Sequence, residues 1–351
     1  MAERYWVGGT DTWNNVALLK WSTTSGGTPG AAAPGSSDNV YFDGNSGNVV
    51  VTTGASIACK NLSFTGFTGE FAGTNTLTVG GNLVLANTMT RSFTGRLYFN
   101  SALTTNTITT NTVSLASTEI QFLGGGEWTL TDDLNATTSY TYVTIGKLHL
   151  AGFSLTTSTF ASNNNNARTV DWGTNGTINV AGAGTTWLVG GTGLVLEGTG
   201  IVDMSSSSSK VFAGASYTYP INLNQAGIGT LTVTGSNTFN TLSNTTQPST
   251  VQIPTSTTTV GSISISGTSG NQISIQSSTA GTRATLNVPT GTVSFSYCSI
   301  KDIAAVGGAL FNAYVTDGNV NNGNNIGIDF FTQVGEYMYS PRKSKRILIS
   351  N

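Results

Sequence analysis

Few side chains in this 351-residue sequence could do acid–base chemistry, since it holds sixteen Asp and Glu and one histidine. Where carboxylates gather they stand out. Glu127, Asp132 and Asp133 fall close together in GGGEWTLTDDL beside Trp128, and Asp171 adjoins Trp172. Glycoside cleavage needs two carboxylates flanking one bond, one giving a proton and the other acting as base or nucleophile. An aromatic ring offers a sugar its flat apolar face. These four carboxylates are therefore the candidate catalytic residues if the chain cleaves glycans. On the plainer view Asp132 and Asp133 occupy a turn and both tryptophans pack in the core. Nothing in the spacing forces the carboxylates together.

Other chemistries find less support. His149, in KLHLAGF, sits at a polar-phase position between two leucines, with no G-x-S-x-G elbow nearby, and reads as a surface histidine. The glycine-rich stretches GGGEW and VGGTGLVLEGTG lack the GxxxxGK[ST] pattern and a following helix, so they read as turns and not phosphate loops. Repeat-type calcium motifs of the GGxGxD kind do not occur, and neither a metal nor a cofactor is expected. Cys59 and Cys298 are too few and too far apart for a disulfide framework and read as small buried hydrophobes.

The elements that would position these residues are short strands. Val, Ile, Leu and Phe alternate with Thr, Ser and Asn between glycine-rich turns, as in NTLTVGGNLVL, GTINVAG and GTLTVTGSNTF. Leu77 and Val79 are expected to face inward while Thr76 and Thr78 face out, and Ile263 and Ile265 to alternate likewise with Ser262 and Ser264. Similar phrases return about every twenty to thirty residues, the length of one solenoid coil, with no propeller signature and no helical pattern. The expected fold is all-β, a right-handed parallel β-helix; tandem β-sandwich domains are the runner-up. Only 9% of residues are charged, 44 are glycine and the net charge is −2. Stacked coils set like residues above one another, so ladders of hydroxyls and amides suit the architecture where stacked charges would repel.

The ends differ from the middle. Three of the six tryptophans, Trp6, Trp13 and Trp21, lie in the first fifty residues. Residues 1–47 are expected to cap the first open coil, because a bare solenoid end exposes backbone edge and apolar core, or to serve as an aromatic attachment site. Residues 48–300 are expected to form the solenoid and 301–335 a C-terminal capping segment. The last sixteen residues carry four basic and one acidic side chain, against ten basic and fifteen acidic before them. Arg342, Lys343, Lys345 and Arg346 thus mark 336–351 as a basic arm for a neighbouring protein subunit, since four charges on one arm make a weak nucleic-acid footprint. The start, MAERYWVGGTDTW, has no basic-then-apolar secretion signal, and no apolar run is long enough to span a bilayer.

The opening RYWVGGTDTWNNVALLKWSTTSGGTPGAAAPGSSDNVYFD resembles the start of a widespread family of uncharacterised phage- and prophage-encoded proteins. In that family W-x-G-G-T-x-x-W, W-S-x-T-S-G-G and D-x-V-x-F-D recur together. CKNLSFTGFTGEFAG and SYCSIKDIAAVGGALFNAYVTDGNVNNGNNIGIDF are similar to its later signatures. The chain departs from the family in passing to a short basic tail soon after GNNIGIDF. The resemblance implies a phage virion setting and a repetitive β architecture. The expected role is a virion structural protein and not an enzyme: a tail fibre or spike component, or a capsid decoration protein. It would be made in the host cytoplasm, form a homotrimer and contact other virion proteins, without nucleic-acid binding or membrane insertion. The alternative is a tailspike that binds or depolymerises host surface glycan.

Overall fold

The computed structural model describes residues 1–14 and 19–331. The chain is a β-solenoid of about 14 turns, almost wholly β and without α-helix among the described residues. Each N-terminal coil supplies three short strands, one to each of three parallel ladders. Val50–Thr53, Ile57–Cys59 and Leu62–Ser63 form one coil; Glu70–Gly73, Leu77–Val79 and Leu83–Val84 stack on them. In one ladder Leu77 stands beside Leu97, and the column continues through Ile120, Thr141, Phe160 and Trp187. Successive members of that column lie 19 to 27 residues apart in sequence, the coil length that the repeating phrases predict.

Among the described strand pairings only Glu3–Trp6 with Trp21–Ser22 is antiparallel. A β-sandwich is built from antiparallel neighbours, so this pattern sets the sandwich alternative aside. Leu77 and Val79 are buried and Thr76 and Thr78 are not. Ile265 is buried and Ile263 packs on the core, while Ser262 and Ser264 are exposed. Inward side chains stack in register as well: Phe160, Trp187 and Phe212 form a column with ring centroids 4.7 and 5.2 Å apart. Such stacking adds about 1 kcal/mol per pair beyond area burial.

The stack extends past both expected boundaries. Glu3–Trp6 already pairs in parallel with Asn39–Tyr41, which pairs with Leu62–Ser63. At the other end Cys298–Lys301 pairs with Val320–Asn321, and Leu310–Asn312 with Ile328–Asp329. Residues 48 and 300 are therefore not breaks in the ladder. A coil must rest on its neighbours, so the terminal segments join the stack they cover.

Trp6, Trp13 and Trp21 are 0–1% exposed, which corrects their assignment as an attachment surface. Trp21 packs edge-on against Trp6 and Trp13 at 5.0 and 5.3 Å, and Phe42 beneath them stacks on Phe64 at 4.9 Å. Together they fill the end of the core. The basic residues Arg342, Lys343, Lys345 and Arg346 lie outside the described residues.

The outer surface carries polar ladders. Asn61 donates to Asn39 at 2.8 Å, Thr109 and Thr131 meet at 2.6 Å, and Thr241 meets Ser262 at 2.9 Å. Each joins like groups one coil apart.

Candidate functional site

Among the described residues the densest charge lies on one face of the solenoid, across Glu127–Leu130, Gly146–His149, the start of Arg168–Val180 and the start of Leu194–Met204. Outward positions alternate along each strand. Register then sets Glu127 beside Lys147, and His149, Asp171 and Glu197 in one column. His149 lies between two carboxylates, with Nδ1 3.8 Å from Glu127 Oε1 and Nε2 3.7 Å from Asp171 Oδ2. Lys147 Nζ reaches Asp171 Oδ2 at 2.7 Å and Glu197 Oε2 at 3.1 Å.

The electrostatics follow from this packing. Partial burial alone would raise the Asp171 carboxyl. The hydrogen bonds from Lys147 and the Gly173 backbone N–H, with the charges of His149 and Lys147, outweigh burial and hold it below the usual carboxylate range. Burial likewise opposes the Lys147 charge, and its bonds to Asp171 and Glu197 overcome it and raise the ammonium. Lys147, Asp171 and Glu197 are thus a mutually satisfied set of ions.

The structure thus brings Glu127 and Asp171 onto one face, as glycan cleavage would require, but fills the space between them with His149 and ties Asp171 to Lys147. A sugar flanked by both carboxylates would have to displace the imidazole. Asp132 and Asp133 are not part of this group. They follow the far end of Glu127–Leu130, about 16 Å of extended chain from Glu127. Both Asp132 oxygens accept backbone N–H groups, from Thr110 and Asn111, and Asp133 Oδ1 accepts from Ser154 N at 2.8 Å. They are turn residues, as aspartates commonly are. Trp128 and Trp172 are fully buried, which corrects their candidacy as sugar platforms. Trp128 Nε1 donates to Gly81 O at 3.3 Å inside the core.

Sequence reasoning placed His149 on the surface alone and passed over Lys147 and Glu197. The signal was present but faint: Glu127 and Lys147 are one coil apart, as are His149 and Asp171, and Asp171 and Glu197. Coil lengths vary too much for such a match to be read without the register.

A second feature lies at the corner beyond these strands. A groove of about 520 Å³ is lined by Thr112, Asp132, Asp133, Leu134, Asn135, Phe153, Ser154 and Thr156. Asn111 and Thr112, at φ 48° and 70°, and Ala151, at 53°, hold left-handed backbone at its rim. For β-branched Thr112 that conformation is costly, and the turn is fixed by the Asp132 carboxylate.

Cys59 and Cys298 are both buried free thiols, and burial pushes the Cys298 thiol up to about 11. Among the described residues no three His, Cys, Asp or Glu side chains group as a metal site requires, and no helix is long and apolar enough to cross a membrane. No protein-family model matches the chain, and no curated protein or solved structure matches it.

Proposed function

We propose that the chain is a structural protein of a bacteriophage particle, displayed on the particle surface as a tail fibre or spike component or as a capsid decoration protein. The observation that carries this reading is the unbroken stack of parallel coils from Glu3–Trp6 to Ile328–Asp329, clad in neutral hydroxyl and amide ladders. A rod built this way is stiff along its axis, since every coil is hydrogen-bonded to the next. It also exposes few charges to vary with salt or pH. Both properties suit a part that must hold its shape outside the cell. The resemblance of both ends of the sequence to phage-encoded proteins supports the same setting.

In this proposal the solenoid assembles as a homotrimer through its flat faces about a threefold axis, an arrangement that closed symmetry permits. Two measurements test the reading. Antibody raised against the purified chain should decorate phage particles at one defined position in electron micrographs, and the purified chain should sediment at three times its monomer mass. Particles left bare by an antibody that binds the free protein would remove the virion assignment. Sedimentation as a stable monomer would remove the trimer.

A further inference from the structure

We infer that the corner groove between Thr112 and Thr156 is a binding site for a neutral saccharide. Small-ligand sites are concave and a few hundred Å³ in volume; this groove, at about 520 Å³, is of that size, and its lining is mostly polar around the single aromatic ring of Phe153. Phe153 is 36% exposed. A phenyl ring held half out of water by the turn at Ala151 and Gly152 offers an apolar face of the kind on which the C–H face of a pyranose stacks.

The polar lining argues for the same occupant. Asp133 Oδ2, the Asn135 amide nitrogen and the hydroxyls of Thr112 and Thr156 have no hydrogen-bond partner within the described chain, whereas both Asp132 oxygens are engaged in holding the turn. The free groups are a mixed set of acceptors and donors, matched to a ring of hydroxyls. The lining contains two carboxylates and no basic residue, so a phosphate, sulfate or uronate would be repelled. The site also opens onto a polar column: Asn135 stands beside Thr156, followed one coil at a time by Asn179 and Asp203, with Asn224 buried at its far end. Asn224 donates to Asp203 at 2.8 Å. Its outer members, from Asn135 to Asn179, would let a chain of sugars continue from the groove over the next coils. No bond is made or broken in this role: glycoside cleavage takes two carboxylates, and of the pair here Asp132 has both oxygens engaged, which leaves only Asp133 with a free one.

The inference deepens the surface-display reading by naming what the displayed face would meet, and its test is separate, since it uses the purified full-length chain and no particle. Retention should be measured on immobilised dextran, mannan and galactan, and on hyaluronate as an acidic polymer. At least one neutral polysaccharide should retain the protein and hyaluronate should not. Phe153→Ala and Asp133→Asn should each weaken that binding tenfold or more, while Tyr140→Ala, a 48% exposed aromatic that does not line the groove, should leave it unchanged. Unaltered circular dichroism and melting temperature would show that each variant is folded, and Phe153→Leu stands in if the alanine variant is not. Retention by none of the neutral polymers, retention by hyaluronate alone, or binding indifferent to both groove substitutions would overturn the proposal. Loss through Tyr140→Ala alone would move the site to the flat face and overturn it equally.

Discussion

Asp171 and Glu197 stand in adjacent coils of one column, about 4.8 Å apart at the backbone. Like charges so placed destabilise a sheet. Lys147, reaching both carboxylates, turns the repulsion into a bridged triplet. Replacing it, Lys147→Met, leaves Asp171 partly buried and its main cation gone, for an expected loss of about 1–3 kcal/mol at neutral pH. The pH dependence has a definite sign. Asp171 is held below its unfolded value, so its contribution is present above the unfolded carboxylate pKa of about 4 and disappears as pH falls through the lower folded value. Denaturation midpoints of the two proteins should therefore differ most near pH 7 and converge towards pH 3. A constant gap across that range would show that Lys147 acts through packing alone. Of these residues only Glu127 and Asp171 were legible as candidates, because a residue's partners in a solenoid lie a full coil away.

At the scale of the element, Arg168 shows how a corner is held. The side chain opens the strand Arg168–Val180, is 2% exposed and has no carboxylate partner among the described residues. Its guanidinium donates to Ser162 Oγ at 2.7 Å, to the carbonyls of Ser162 and Asn166 at 2.9 Å, to Thr192 O at 2.7 Å and to Gly190 O. One planar fork thus satisfies carbonyls in two successive loops, the Asn163–Asn166 run among them. Burial lowers its pKa, yet an arginine remains charged at any physiological pH. Arg168→Met should cost about 2–4 kcal/mol, because the buried Ser162 hydroxyl and carbonyl and three part-buried loop carbonyls lose their donor together. Arg168→Lys should recover only part of it, since a point charge cannot span both loops. Urea denaturation followed by intrinsic tryptophan fluorescence would read both. Alternation of apolar and polar residues identified the strands, whereas the loops gave no sign of their shape, because Arg168 meets carbonyls that lie up to a full coil away in sequence.

Across the whole molecule the stability problem is the open end of the stack. Trp6, Trp13 and Trp21 close it with a cluster of crossed rings over Phe42. Trp13→Ala should cost about 3–5 kcal/mol, the usual penalty for emptying a large buried aromatic site. In a one-dimensional stack the damage should begin locally. Hydrogen exchange should show the first coils, through Val50–Thr53 and Glu70–Gly73, losing protection before those near Ile273–Ser277. Uniform loss along the rod would mean that the solenoid unfolds as one unit and that the cluster is no separate cap. The amino-acid sequence by itself determined the strand-and-turn character, the inward and outward alternation, the coil length and the low charge, because all of these are local periodicities. Tertiary structure alone decided that the tryptophans are core and not contact surface, that His149 separates Glu127 from Asp171, and that Phe153 overlooks a groove beside Asp133. Each of those facts depends on which residues share a column, and coils of 19 to 27 residues leave that register open until the chain is wound.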